Sequence, residues 1–154
     1  MRNVIKDTFV SIMNRNGFHK KSDTWYRRTD DAILVVNLQK SDYGYQYYIN
    51  LAVWLKALGE NAFPKEHHCH IRLRAVHLDR NHQRHWEHEV LNLENTSMSD
   101  VERAQQIQTL LEDIAIPFLL SCGSLDRIRK LYREGQFKGA AVRVQAQEFL
   151  GKND

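Results

Sequence analysis

Residues 32–55 read AILVVNLQKSDYGYQYYINLAVWL. Two runs rich in β-branched and aromatic residues, Ala32 to Ser41 and Gln46 to Leu55, flank the polar, glycine-bearing stretch Asp42 to Tyr45. Val, Ile and Tyr suit a pleated surface, and Asp and Gly suit a tight turn, so this is the pattern of a β-hairpin. Side chains alternate across a strand, which separates two faces. Ala32, Leu34, Val36 and Leu38 share one face with Ile49, Leu51, Val53 and Leu55. Ile33, Val35, Asn37, Gln39 and Ser41 share the other with Gln46, Tyr48, Asn50 and Trp54. With Asp42 to Tyr45 as the turn, Ser41 meets Gln46, Gln39 meets Tyr48 and Asn37 meets Asn50. A slip by one residue would mix the two faces, which burial disfavours.

Outward from the hairpin, Thr24 to Thr29 is short, aromatic and β-prone, and Thr29-Asp30-Asp31 is a turn. Before it, Val4, Ile5, Thr8, Phe9, Ile12 and Met13 recur at helical spacing, which predicts a helix over about residues 2–15 closed by Asn16-Gly17. After it, residues 58–66 read as a loop and His67 to Leu78 as a further strand. On that strand alternation places Cys69, Ile71, Leu73 and Ala75 on one side, and His68, His70, Arg72 and Arg74 on the other. Residues 85–93 fit either a fifth strand or a turn of helix, and the strand is the expectation. From Ser99 the character changes. Ser99-Asp-Val-Glu102 is a capping box opening a long helix whose apolar stripe runs from Val101 to Phe118, bent near its end by Pro117. Ser124 caps a short helix ended by Gly135, and a last helix is expected over about 138–150.

The fold class is therefore α+β: an N-terminal helix, an antiparallel sheet of four or five strands, and three C-terminal helices packed on the sheet's Leu34/Leu51/Ile71 face. The 154 residues are expected to form a single α+β domain, residues 1–154. No apolar run is long enough to span a bilayer, and the N-terminal stretch does not read as a signal peptide. With two cysteines besides, a cytoplasmic, reduced protein without membrane contact is expected. The charge of +3 is mildly basic, and protonation of all eight histidines would raise it to +11.

The phrases NGFHKKSDTWYRR, VVNLQKS, YYINLAVWL and CHIRLRAVHL, in that order, resemble an uncharacterised bacterial family, the domain-of-unknown-function family numbered 4304. The resemblance covers roughly residues 1–90; the C-terminal helices are less distinctive. It implies a small cytoplasmic bacterial α+β domain with no established activity. Asn37, Gln39, Ser41, Asn50, Cys69, His70, Arg72 and Arg74 sit in the phrases that carry it, and it supplies no catalytic residue or partner.

Chemistry-bearing residues concentrate in Glu66 to Glu89, EHHCHIRLRAVHLDRNHQRHWEHE, which holds seven of the eight histidines. His68 and His70, two apart on one strand side, are a usable pair of metal ligands, and His82 or His85 could supply a third. No HExxH or CxxC spacing accompanies them, so the expectation is no metal and no cofactor. No GxSxG elbow or glycine-rich phosphate loop is present, and both cysteines read as small buried hydrophobes. No catalytic residue is named, and whether the chain is an enzyme stays open, with a non-enzymatic reading preferred.

The residues expected to bind are Asn37, Gln39, Tyr48, Asn50, His68, His70, Arg72 and Arg74, on a polar sheet face facing a protein or small anionic ligand. By analogy of size and fold, such a partner could be of the toxin-neutralising type. Two alternatives stay open. One is a single-stranded RNA or other nucleic-acid-binding domain stacking bases on Tyr48 and Trp54; the other is a metal-dependent hydrolase using residues 67–88. A further alternative for the face itself is that the C-terminal helices cover it, with Arg72 and Arg74 paired to their acidic residues.

Overall fold

Six antiparallel strands lie in chain order across one sheet, so every neighbour in space is a neighbour in sequence among the strands. The computed structural model describes residues 3–152. Residue 2 of the expected first helix, and residues 1, 153 and 154 of the expected domain, lie outside the described residues. The strands are β1 His19–Lys21, β2 Thr24–Arg28, β3 Ala32–Lys40, β4 Tyr47–Leu55, β5 Ile71–Arg74 and β6 Ala141–Val142. β3 and β4 pair Asn37 with Asn50 and Gln39 with Tyr48, and Ser41 N–H donates to Gln46 O at 2.8 Å. The register read from alternation is therefore the one present. Burial sets it: Leu34, Val36, Leu51 and Val53 are all fully inside.

The first helix, α1 Val4–Arg15, forms for local reasons. The Asn3 side chain accepts from Lys6 N–H at its start. At its end Gly17 takes a φ of +78°, which a Cβ-bearing residue resists, and Phe18 N–H closes back on Met13 O. Ile5, Phe9, Ile12 and Met13 bury the inward stripe against the sheet's apolar face. The C-terminal helices complete that layer: α2 Asp100–Gln108, α3 Ile116–Ser121, α4 Leu125–Arg133 and α5 Val144–Gly151. Ser99 and Ser124 accept from backbone N–H groups three residues on, as the capping patterns require. Ile107, Leu110, Leu119, Ile128, Ala146 and Leu150 join the strands in one core.

Several expectations are corrected. The expected strand over His67 to Leu78 is only four residues long, Ile71–Arg74, flanked by 3₁₀ turns at Glu66–His68 and Ala75–Leu78. Residues 85–93 are not a strand. His85–Val90 is a π-wide helical turn, with Leu91 N–H reaching Trp86 O five residues back. Its core contacts come from Trp86 and Val90, at helical spacing, and the chain then pairs just ahead of β4 through an isolated bridge, Gln46 to Asn92. α5 begins at Val144 rather than near 138, because Ala141–Val142 first pairs with Ile71 and Arg72 as the sheet's far edge.

Pro117 does not break its helix. The turns just before it, Thr109–Ala115, are π-wide, with Ile116 N–H on Leu111 O. Widening there makes room for the proline ring, which would otherwise press on the carbonyl of Asp113, and the missing N–H is absorbed in the same turn. Arg103, from the second turn of α2, is buried with 2% of its surface exposed. It donates to the main-chain oxygens of Glu89, Val90, Asn92 and Asn95 at 2.5–3.1 Å, and so clamps the chain's return from the π turn to α2. Four carbonyl dipoles replace the water that a buried guanidinium would otherwise need.

Candidate functional site

The helices cover the Leu34/Leu51/Ile71 face, so any site on the sheet must lie on the opposite face. That face is divided along the strands. At one end Tyr26, Ile33, Val35, Ala52 and Trp54 are apolar. At the other end Thr24, Asn37, Gln39, Tyr48, Asn50, Arg72 and Arg74 are polar. The registers place them side by side: Thr24 by Asn37, Asn37 by Asn50, Asn50 by Arg74, and Ala52 by Arg72.

The apolar end is closed by residues 59–70, which cross it as a strap. Trp54 Nε1 donates to Gly59 O at 3.0 Å and Tyr26 OH to Pro64 O at 3.1 Å. The Arg28 guanidinium donates to Ala62 O. Phe63 meets the Tyr26 ring edge-on, with centroids 5.5 Å apart. Cys69 fills the space over Val35 and Ala52, not the helix-covered core that alternation along a longer strand assigns to it, because the strand has not yet begun at that residue. Burial pushes its thiol up to about 12, far from a thiolate at neutral pH.

His70 ends the strap. It does not stand on an open polar row: only 2% of it is exposed, and its ring lies 4.3 Å from that of Trp54. Leu55 N–H donates to His70 Nδ1 at 2.9 Å, while His70 N–H donates to Val53 O at 3.1 Å. The side chain thus continues the β4 ladder where β5 is absent. An accepting Nδ1 is an unprotonated one, so the imidazole is neutral here. Burial, and then the charge of Arg143, push its pKa below the ordinary value. His68 is also off the sheet face, on the preceding 3₁₀ turn, exposed, with the His67 ring 4.2 Å away.

The polar end is open. A concavity of about 740 Å³ is lined by Asn37, Gln39, Asn50 and Arg72 from the sheet, and by Lys21, Asp23, Lys65 and Glu66 around its rim. A smaller depression of about 340 Å³ continues it past Arg74 and His77 to the β6 edge. Asn50 Nδ2 donates to both Asn37 Oδ1, at 3.2 Å, and Gln39 Oε1, at 3.0 Å. Asn37 Nδ2 in turn donates to Asp23 O at 3.3 Å. These bonds hold three amides in one orientation with Gln39 exposed at the end of the row. Arg74 lies over the Tyr48 ring at 3.9 Å, a cation–π contact.

The two arginines are half-exposed and matched by carboxylates: Arg72 Nε meets Glu66 at 3.1 Å and Arg74 meets Glu87 at 3.7 Å. Both acids come from segments beside the sheet, so pairing with the C-terminal helices is corrected too. Of the eight residues expected to bind, Asn37, Gln39, Tyr48, Asn50, Arg72 and Arg74 are brought together, and His68 and His70 are not. The rim residues Lys21 and Glu66 were missed. The signal for Lys21 was the two-residue Ser22-Asp23 turn, which folds HKK back onto β2 and brings that lysine to the rim.

The histidines weighed as metal ligands are apart. His82 Nδ1 lies 3.0 Å from Asp79, which also accepts from Trp86 Nε1 at 2.9 Å; that bond and the histidine hold the Asp79 pKa below the carboxylate range. His85 has Glu89 at 2.5 Å on one nitrogen and Gln106 at 3.2 Å on the other. Burial works to lower its pKa, but these two partners outweigh it and raise the value. Among the described residues no three His, Cys, Asp or Glu side chains converge to hold a metal ion. Among the same residues no helix is long and apolar enough to cross a membrane.

One family model, described as a domain of unknown function (DUF4304), matches residues 9–121. No curated protein and no solved structure matches this chain.

Proposed function

The chain belongs to the DUF4304 family, and we propose that it is a binding module whose polar half-face docks a partner protein. One observation carries this reading: the open concavity in which Asn37, Gln39 and Asn50 are held by one another beside Arg72. Amides oriented by their neighbours lose little freedom when a partner's polar groups arrive, which lowers the cost of association. Charge argues for a polypeptide over a small anion at this face. Arg72 and Arg74 already face Glu66 and Glu87, so an anion would compete with two carboxylates. A polypeptide brings donors and acceptors together, as the amide row does. Tyr48 beneath Arg74 supplies the aromatic–arginine pairing that often anchors interfaces.

The test is capture from the native host by the tagged wild type and by a Gln39→Ala/Arg72→Ala double variant of matched circular dichroism. A specific partner held by the wild type should fall about tenfold or more in recovery with the variant. Equal recovery by both would remove the polar half-face from the interaction.

A further inference from the structure

A second group of cations without carboxylate partners, among the described residues, lies at the β1 edge of the sheet. β1 pairs with β2 only as far as His19 opposite Tyr26, so Arg27 and Arg28 run past its end. Alternation sends them to opposite faces of the sheet, around the same notch. Arg27 donates to Asn16 O at 2.8 Å beside the end of α1, and Arg28 donates to Ala62 O on the strap. Together with Arg15, His19 and Lys20 they line a concavity of about 840 Å³ to which no carboxylate of the described residues contributes. Arg15 is matched by Glu112, just outside. Among the described residues Lys20, Arg27 and Arg28 have no acidic side chain within 4.0 Å.

Lysines on a short edge strand are explained by protection against strand pairing. The arginines are not, because they stand on β2 and are held by main-chain oxygens. Those bonds fix each guanidinium in place without neutralising its charge, and Arg28 also lies over the Phe63 ring, 4.8 Å from its centroid. Planar forked donors of that kind suit tetrahedral and carboxylate anions, and a doubly charged phosphate draws most from a concavity lined by several cations.

We propose that this notch is a second binding site, reached past the amide row and meeting its concavity only at Tyr26 and Phe63, and that it takes a phosphate-bearing ligand between Arg27, Arg28 and Lys20. The chemistry is common to a free phosphorylated compound and to a single-stranded nucleic acid, and the experiment separates them. Anisotropy of a labelled single-stranded oligonucleotide of about twelve nucleotides is measured at low salt, with inorganic pyrophosphate and a glutamate-rich peptide as competitors. Binding that pyrophosphate displaces indicates a discrete phosphate site; binding that only unlabelled oligonucleotide displaces indicates a nucleic-acid strand. Either supports the proposal if Arg27→Gln and Arg28→Gln weaken it roughly tenfold. Lys20→Gln, at an exposed position, serves should either arginine variant fail to fold, and should weaken binding several-fold with a smaller salt dependence. A wild type that binds no phosphate probe, displacement by the glutamate peptide at equal charge concentration, or variants that bind as well as the wild type would each overturn it. The Gln39→Ala/Arg72→Ala variant should keep phosphate binding, so loss of one site is distinguishable from loss of the other.

Discussion

The two ends of the second sheet face are built from the same strands, on the same side, with the same alternation, and have opposite fates. Ile33 and Val35 lie under the strap with 3% and 0% exposed. Asn37 and Gln39, two and four residues further along β3 from Val35, are partly and largely in solvent. Alternation decides which side of a sheet a residue faces. It does not decide whether that side is covered, because cover comes from a segment distant in sequence. Here residues 59–70 cover one half and stop, and the place where they stop fixes the border of the candidate site.

The largest expected effect tests that cover. Ile33→Ala should cost about 2–4 kcal/mol in urea denaturation, the usual penalty of a cavity in a packed interior. Gln39→Ala, on the same side of the same strand, should stay within about 0.5 kcal/mol. A cost below about 1 kcal/mol for Ile33→Ala would mean that the strap does not exclude water and that the two halves are alike.

His70 sharpens the border through pH. His70→Phe leaves Leu55 N–H without its acceptor in a buried place, which should cost about 1–3 kcal/mol at pH 7.5. The wild-type advantage should shrink on acidification. The folded protein holds His70 neutral, with its pKa below that of the unfolded chain, about 6.5. As pH falls below that value the unfolded state takes up a proton that the folded state resists, so stability is lost toward the folded pKa. His85 acts with the opposite sign: its raised pKa stabilises the fold below about 6.5 and loses that effect as pH rises. The gap between wild type and His70→Phe isolates the first from the second. A gap unchanged between pH 7.5 and 5.5 would show that the ring is not the neutral acceptor described.

Tyr26→Phe removes one strap bond and leaves the ring packed. It should cost about 1 kcal/mol, with faster amide exchange confined to residues 59–68. Exchange quickened equally across β3 and β4 would mean that strap and sheet open as one unit, and the strap would then be no separate cover.

Much of this was legible beforehand, for a physical reason. The hairpin register follows from local alternation in Leu34, Val36, Leu51 and Val53, and it is the register present. The change from Ile33 and Val35 to Asn37 and Gln39 along one strand side carries the division of that face, but the expectation was one polar face over the whole side. What covers the apolar half was not legible. Phe63 and Pro64 stand in a loop with no periodicity, and only their apolar character inside a polar stretch signalled that the loop is packed. The strand read through His67, Cys69 and His70 failed because histidine and arginine alternate with apolar residues there, while the backbone turns through a 3₁₀ segment before pairing begins at Ile71. β1 and β6, three and two residues long, offer too few alternations to read.

The smallest effect on stability should come from the open half, where its meaning is greatest. Arg74→Ala removes a half-exposed pair with Glu87 at 3.7 Å and a cation–π contact with Tyr48. Exposed ion pairs contribute about 0–1 kcal/mol, so denaturation midpoints should barely move. Docking should respond differently. A partner that buries Tyr48 and Arg74 would lose the anchoring pair, and its affinity should fall about tenfold or more. Calorimetry of wild type and Arg74→Ala with the captured partner, beside denaturation of both, separates these outcomes. A side chain nearly neutral for folding and costly for binding is the mark of a surface kept for a partner. The reverse result, with stability lost and affinity unchanged, would make the open half an ordinary structural face like the covered one.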